Sequence, residues 1–304
     1  MRLPWQRNVP HWQTDMTGME EMREKYQEGK KGALASFLPA YYYSPWMEGR
    51  GREEQRYLLE AEELELADGI RGIGNYTFYG CGSLRKLKFT DTLKEIGGGS
   101  FTGCSRLREL EVLMEKGAPT CIRDVVAETF HEVYVTLQFR GDKGQARLVF
   151  PEYYEEGVEN TPARILETHF HGSGYRYRQC FTDKKIDFKR YDSLFGVAKV
   201  YEKSEILIPM CMGRLLYPFE LGDYAREDYL AYLRAHLKEA GEYALKGSEW
   251  NQNLNFLMKE AAGNREDGDI LLNLAMESGR TEAVSLLMEE KRKRFGLAAK
   301  SFDF

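Results

Sequence analysis

The chain has 304 residues, 43 basic and 48 acidic side chains, a net charge of −5 and an apolar share of 42%. That length fits about two domains and is ample to bury a core. The near balance of charge excludes an overall field drawing the chain to nucleic acid or anionic lipid, so any such contact would have to be local.

The opening residues, Met1 to Trp12, carry no apolar run behind a basic stretch, and no segment approaches 18 consecutive apolar residues. The expectation is a chain without signal peptide or spanning helix, located in the cytoplasm. Residues 1–60 read as an N-terminal helical and aromatic cap. Thr17-x-x-Glu20 has the spacing of a capping box, and the apolar residues after it, as far as Leu38, recur at loosely helical spacing. The cluster Tyr41, Tyr42, Tyr43, Pro45 and Trp46 reads either as a lid over the first coil of the repeats downstream or as a groove for a peptide or glycan. A second charged helix runs from Arg52 to about Glu60.

From Ile70 to Val112 the sequence repeats itself. With a shift of 23 residues it matches at Ile73/Ile96, Gly74/Gly97, Phe78/Phe101, Gly80/Gly103, Cys81/Cys104, Leu84/Leu107 and Leu87/Leu110. A period of 20–29 residues with Leu-x-x-Leu endings marks a solenoid whose coils bury their apolar edges against one another. The same register places Leu64/Leu66 before the clean repeats and Val133/Val135 after them, which predicts four short parallel strands at 64–66, 87–89, 110–112 and 133–135. Between strands, the Phe-x-Gly-Cys turn calls for a residue able to take positive φ, which Gly supplies, and a bulky ring to fill the coil. Arg147 to Phe150 reads as a last strand, closed by Pro151.

The run Ile73-Gly74…Phe78-x-Gly80-Cys81…Leu84-x-x-Leu87, repeated from Ile96, resembles the BspA-type leucine-rich repeat. The flanking coils are degenerate: 47–69 keeps only its strand, and 113–135 keeps its strand plus Phe130. The resemblance implies a bacterial binding scaffold without an active site in the repeats, and for secreted members a surface adhesin. The cysteine pattern argues against that last role, since five cysteines (Cys81, Cys104, Cys121, Cys180, Cys211) are odd in number and contain no C-x-x-C pair.

On the predicted sheet, the side chains pointing away from the coils are Glu63, Glu65, Lys86, Lys88, Glu109 and Glu111, then Glu132 and Tyr134. Strands about 4.8 Å apart stack Glu63, Lys86 and Glu109 as a ladder of alternating charge, with Glu65, Lys88 and Glu111 beside it. This face is either self-paired and solvated or a binding face for a partner of mixed charge; Glu63, Glu65, Lys86, Lys88, Glu109, Glu111 and Tyr134 are the candidate binding residues. Cys81 and Cys104, at equal positions of adjacent coils, read as small buried hydrophobes rather than a disulfide or metal pair.

Residues 151–190 form an aromatic and basic connecting segment. Tyr175-Arg176-Tyr177-Arg178 alternates with period two, as on a strand with tyrosines on one face. Interleaved aromatic and basic groups also suit single-stranded nucleic acid, so binding through 175–190 stands as an alternative function. His169-x-His171 with Cys180 lacks diagnostic metal spacing, and no metal or cofactor is called for.

From Tyr191 to the end the pattern is helical: an apolar stretch around Pro209, a long amphipathic run from Tyr224, another from Trp250 to Met258, and a final pair. That pair has a helix ending at Glu277, a turn at Ser278-Gly279, and Thr281 capping a helix with Val284, Leu287 and Met288 on one face. Its Leu274-Ala275…Gly279…Glu282-Ala283-Val284…Leu286-Leu287 run resembles the helix pair of an ankyrin repeat. Lys291 to Arg294 suits the negative end of that helix. No phosphate-loop, metalloprotease, nucleophile-elbow or dinucleotide motif occurs. The expected fold is α/β: a short leucine-rich repeat solenoid with a parallel sheet over 61–150, an N-terminal helical cap, and a C-terminal helical domain over 191–304. Its expected work is non-catalytic binding of a protein partner.

Overall fold

The computed structural model describes residues 34–35, 60–141, 143–160 and 165–296. The chain divides into two compact units, one ending at Tyr201 and the other beginning at Glu202.

The first unit is built on a six-stranded sheet, in the order β1 (Leu34–Ala35), β2 (Glu63–Glu65), β4 (Lys86–Thr90), β6 (Glu109–Met114), β7 (Val133–Phe139), β8 (Gln145–Phe150). All neighbours are parallel except the final β7–β8 pair, which is antiparallel. The repeat sets the register: Leu64 lies beside Leu87, Leu87 beside Leu110, and Leu110 beside Val135. A second, narrow ladder, β3 (Gly72–Ile73) with β5 (Glu95–Ile96), stacks Ile73 on Ile96. The Phe78 and Phe101 rings lie 5.3 Å apart. Both are fully buried, as are Leu84, Leu87, Leu107 and Leu110. These layers are the coils of a solenoid of about three turns. A buried Leu or Phe contributes about 1.5–3 kcal/mol relative to exposure, and each needs the coil next door to receive it.

The glycines explain why the turns can stack. Gly80 and Gly103 sit at φ +75° and +83°, left-handed backbone that a side chain strains. Gly97 has another reason: a Cβ there would lie 2.3 Å from the Asn75 backbone nitrogen, so adjacent coils approach too closely for any side chain.

Within the repeats and ahead of them, the expectations require correction. The last step of the sheet is two residues longer than the repeat, because Leu110 pairs with Val135 and not Val133. An even slip keeps the in–out alternation, so Val133, Val135 and Leu137 all still point inward. The extra residues belong to α1 (Ile122–Ala127), which replaces the glycine turn in that coil and fills it with Ile122, Val125 and Val126. Phe130 therefore does not serve as the coil's ring: it is 53% exposed and packs on Tyr153, centroids 5.3 Å apart. Within the stretch read as helical from Thr17, Leu34–Ala35 is a strand parallel to β2. The rest of that helix, the Tyr41 to Trp46 cluster and the Arg52 helix short of Glu60 lie outside the described residues.

After β8 the chain makes a two-stranded ribbon, β9 (Tyr154–Asn160) with β10 (Ile165–His171). It then returns to the coils through α2 (Gly174–Tyr177), the hairpin β11 (Phe181–Thr182) and β12 (Lys185–Ile186), α3 (Phe188–Ser193) and α4 (Phe195–Tyr201). Tyr175 to Tyr177 are thus helical and not a strand, which separates the tyrosines: Tyr177 is fully buried and Tyr175 half-buried. Arg178 comes next, with its guanidinium in the core. It donates to the carbonyls of Val126, Thr129, His131, Pro151 and Gly174. The Nε–H is shared by Val126 and Thr129, Nη1 serves Pro151 and Gly174, and Nη2 serves His131, so one planar fork gathers the end of α1, the start of the ribbon and α2. Tyr191 in α3 adds a second tie, its hydroxyl donating to the Val149 carbonyl (2.7 Å) and accepting from its N–H (2.9 Å).

The second unit is helical: α5 (Ser204–Leu216), α6 (Asp223–Ala235), α7 (Leu237–Lys246), α8 (Trp250–Phe256) leading into a π-turn (Leu257–Ala261), α9 (Arg265–Glu277) and α10 (Thr281–Phe295). α5 carries the apolar stretch, buried from Leu207 to Leu215, with Pro209 inside the helix. The run from Tyr224 is two helices, broken at His236 (φ −123°, ψ 39°), whose ring stacks on Tyr232 at 4.1 Å. At Gly241 a Cβ would sit 2.7 Å from Leu274 Cδ1, so α7 and α9 cross closely enough that a side chain there would displace the Leu274 and Leu271 methyl groups. Asn264 and Asp267 form a capping box that starts α9. The turn into α10 uses Gly279 at φ +69°. Thr281 is the first residue of α10 and makes no capping bond to its backbone, and the buried face of α10 is Ala283, Leu287 and Lys291, with Met288 58% exposed. Lys291 is buried because its aliphatic stem lies over Gly268 while its ammonium pairs with Asp269. Arg294 donates to the Met258 and Lys259 carbonyls. The basic run at this helix end is therefore tied into the helical unit.

Candidate interaction face

Alternation along β2, β4 and β6 turns one set of side chains inward and the other outward, and the register then stacks the outward set in rows. One row runs Glu63, Lys86, Glu109, Tyr134 and the other Glu65, Lys88, Glu111, Thr136. The longer last coil thus puts Tyr134 beside Glu109, whereas the even repeat predicted it beside Glu111.

The pairing is diagonal as well as straight across. Lys86 Nζ lies 2.9 Å from Glu111 and 3.8 Å from Glu109, Lys88 Nζ lies 3.7 Å from Glu111, and Gln138 Nε2 donates to Glu111 at 2.9 Å. Glu111 is the hub. Burial pushes its carboxyl up, but the Lys86 bond and the two lysine charges outweigh that and hold it below the ordinary glutamate value. The same Glu111 bond, against partial burial, raises Lys86. Glu63 and Glu65, by contrast, are exposed on β2. The face thus has a fixed interior at β4–β6 and an open acidic margin at β2.

A second polar cluster lies at the carboxyl ends of the strands. Asp68 accepts from Thr90 Oγ1 (2.8 Å) and from Arg140 (3.3 Å), Arg140 reaches Asp91 (3.3 Å), and Asp91 accepts from the Glu115 N–H (2.8 Å). One arginine thereby strings together three successive coils. Sequence reasoning passed over this cluster although its signal was present, because Asp68 and Asp91 stand one repeat apart. On the opposite edge, Glu128 at the end of α1 accepts from the Gly99 and Phe101 N–H groups, both at 2.7 Å. One coil earlier the equivalent N–H groups of Tyr76 and Phe78 donate to the Gly98 and Ser100 carbonyls. The carboxylate stands in for the next coil.

All five cysteines are free and buried. Cys104 Sγ donates to the Phe78 carbonyl at 3.1 Å, and burial pushes the Cys81 thiol up to about 12 and Cys104 higher still. Thiols so far from ionisation make poor nucleophiles and poor metal ligands. His169 and His171 sit on β10 beside Glu167 (3.4 Å) and Glu156 (2.8 Å), and no group of three or more His, Cys, Asp or Glu among the described residues is arranged to hold a metal ion. No helix among the described residues is long and apolar enough to cross a membrane.

No curated protein and no solved structure matches this chain. Residues 56–130, about a quarter of the sequence, match the family model described as BspA type Leucine rich repeat region (6 copies), and the stacked coils built from that span are a leucine-rich repeat solenoid.

Proposed function

We propose that the solenoid is a non-catalytic scaffold that binds a protein partner through the outward side chains Glu63, Glu65, Lys86, Lys88, Glu109, Glu111 and Tyr134. Leucine-rich repeats generally mediate protein–protein contact, and the observation that carries the reading is the ordered charge lattice on the sheet, closed around Glu111 and open at Glu63 and Glu65. Exposed ion pairs are worth about 0–1 kcal/mol each, so a partner of mixed charge can engage the exposed Glu63, Glu65 and Glu109 at little cost around the half-buried Lys86–Glu111 pair. The five free, buried thiols fit a reducing compartment, which supports a cytoplasmic setting. The α9–α10 pair, read as ankyrin-like, serves in this proposal as a second interaction module or a helical cap.

Affinity capture from the native cell tests it. A specific protein should be recovered with the wild-type chain and lost with Lys86→Glu/Lys88→Glu. Recovery of the same protein by that variant at wild-type yield refutes the assignment of the face.

A further inference from the structure

The β9–β10 ribbon is a sheet of its own: two strands of seven residues each, with no other strand beside either among the described residues. Ring contacts hold its base to the unit, where Phe170 stacks on Tyr175 (3.7 Å) and lies 6.4 Å from Tyr153. Along it, Tyr154 to Val158 and Glu167 to Phe170 are exposed. A two-stranded ribbon is marginally stable alone in water, and an edge strand presents a row of main-chain donors and acceptors to any further strand that can pair with it.

The residues of each edge say which one receives a strand, and whose. β9 holds three glutamates and no basic residue, so it does not complement itself. β10 does. Its midpoint is Thr168, and two copies laid antiparallel about that residue overlap along the whole strand, with Glu167 opposite His169 of the second copy and Thr168 opposite Thr168. Each carboxylate then meets an imidazole, twice by symmetry, and threonine meets threonine, a favourable cross-strand pair. Full overlap and charge complementarity select the same register. The contacts within one chain leave this pair available. His171 is engaged, stacked on Tyr154 (4.3 Å) with its Nε2 2.8 Å from Glu156. His169 Nε2 lies 3.4 Å from Glu167, and their side chains are 52% and 53% exposed, a weak contact that is readily exchanged for one across an interface.

We propose that the outer edge of β10 pairs with the same edge of a second copy of this chain, antiparallel about Thr168, to make a continuous four-stranded sheet across a two-fold dimer. Such an interface is isologous and closes at two copies. The acidic β9 becomes both outer edges of the joined sheet and opposes the addition of a third copy. The dimer is independent of the charged face of the solenoid, so each stands or falls by its own variants.

Sedimentation velocity of the full chain from ~1 µM to ~0.5 mM spans the affinities of small interfaces and should show a rise to twice the mass of one chain. His169→Glu sets Glu167 against a carboxylate and Glu167→Lys sets an ammonium against His169, so each variant alone should dimerise about tenfold more weakly. An equimolar mixture of the two should dimerise as the wild type does, because Glu167 of one chain meets His169 of the other while the new carboxylate meets the new ammonium. No effect within a single chain produces that rescue. Thr168→Cys, on the two-fold axis, should give a disulfide-linked dimer under mild oxidation, whereas Thr102→Cys, on an exposed coil turn, should not. Lys86→Glu/Lys88→Glu should leave dimerisation unchanged, and unaltered circular dichroism confirms that the exposed substitutions fold. A monomer at every concentration, a dimer that His169→Glu leaves intact, or a mixture no tighter than its components overturns the proposal.

Discussion

Glu128→Ala is the substitution that separates a capped solenoid from a mere stack of strands. Its carboxylate accepts two main-chain N–H bonds, each 2.7 Å long, from Gly99 and Phe101, and those amides have no following glycine turn to receive them because α1 occupies that coil. Hydrogen bonds to a charged acceptor contribute about 1.5–3 kcal/mol each. Both are only part-buried, so the lower end applies to each, and the pair amounts to about 3 kcal/mol. Glu128→Gln should retain about half, because its amide has one acceptor oxygen for two donors and presents an NH2 to the second. Denaturant unfolding gives the total. Hydrogen exchange over residues 98–102 locates it, with the Tyr76 and Phe78 amides, held by carbonyls of the following coil, as an internal reference. The reasoning fails if Glu128→Ala costs under about 1 kcal/mol and the Gly99 and Phe101 amides exchange no faster than in the wild type.

The same geometry yields three more expected outcomes. Gly99→Ala meets both left-handed backbone (φ +72°) and the Tyr76 ring, 2.3 Å from the added Cβ, so it should cost about 2–3 kcal/mol. In a Tyr76→Ser background the cost should fall to about 1 kcal/mol, a coupling that a double-mutant cycle reads directly. Glu111 has a folded pKa held below its unfolded value of 4.5, so it contributes stability that is present above pH 4.5 and lost as pH falls through its folded pKa; unfolding curves of Glu111→Gln against the wild type should converge over that acid range. Arg178→Ala takes the donor from the Thr129, His131 and Pro151 carbonyls, while Val126 and Gly174 keep the Thr129 and Arg178 main-chain N–H groups, and should lower stability by about 3 kcal/mol, whereas Arg178→Lys, with three donors and no planar fork, should lose less; thermal unfolding ranks them.

The coils were legible because the signal is redundant: each apolar position is stated twice at the same spacing, and Ile73/Ile96, Phe78/Phe101 and Leu87/Leu110 meet as that spacing requires. The outward charges could be read from the same alternation, though the diagonal reach of Lys86 to Glu111 could not, since it depends on rotamers of long side chains. Where the repeat degenerates, local pattern misled. Phe130 looked like a third coil ring, but α1 had already filled that interior, and the ring went to the surface. Tyr175 to Arg178 alternates like a strand, yet the buried Arg178 finds its carbonyls by following a helical turn, a long-range demand that no four-residue window contains. Glu128 was invisible for a similar reason, being a charged residue whose partners are main-chain atoms 27 and 29 residues away.

The antiparallel β8 has a consequence for how such a molecule can lengthen. A strand running the opposite way ends the winding direction, so a new module cannot be appended beyond β7 without undoing the hairpin. Glu128, however, recognises amides and no particular side chain, and will clasp whichever turn precedes it. Gene duplication can therefore splice additional 23-residue units ahead of that residue, enlarging the outer wall while the closing machinery stays untouched.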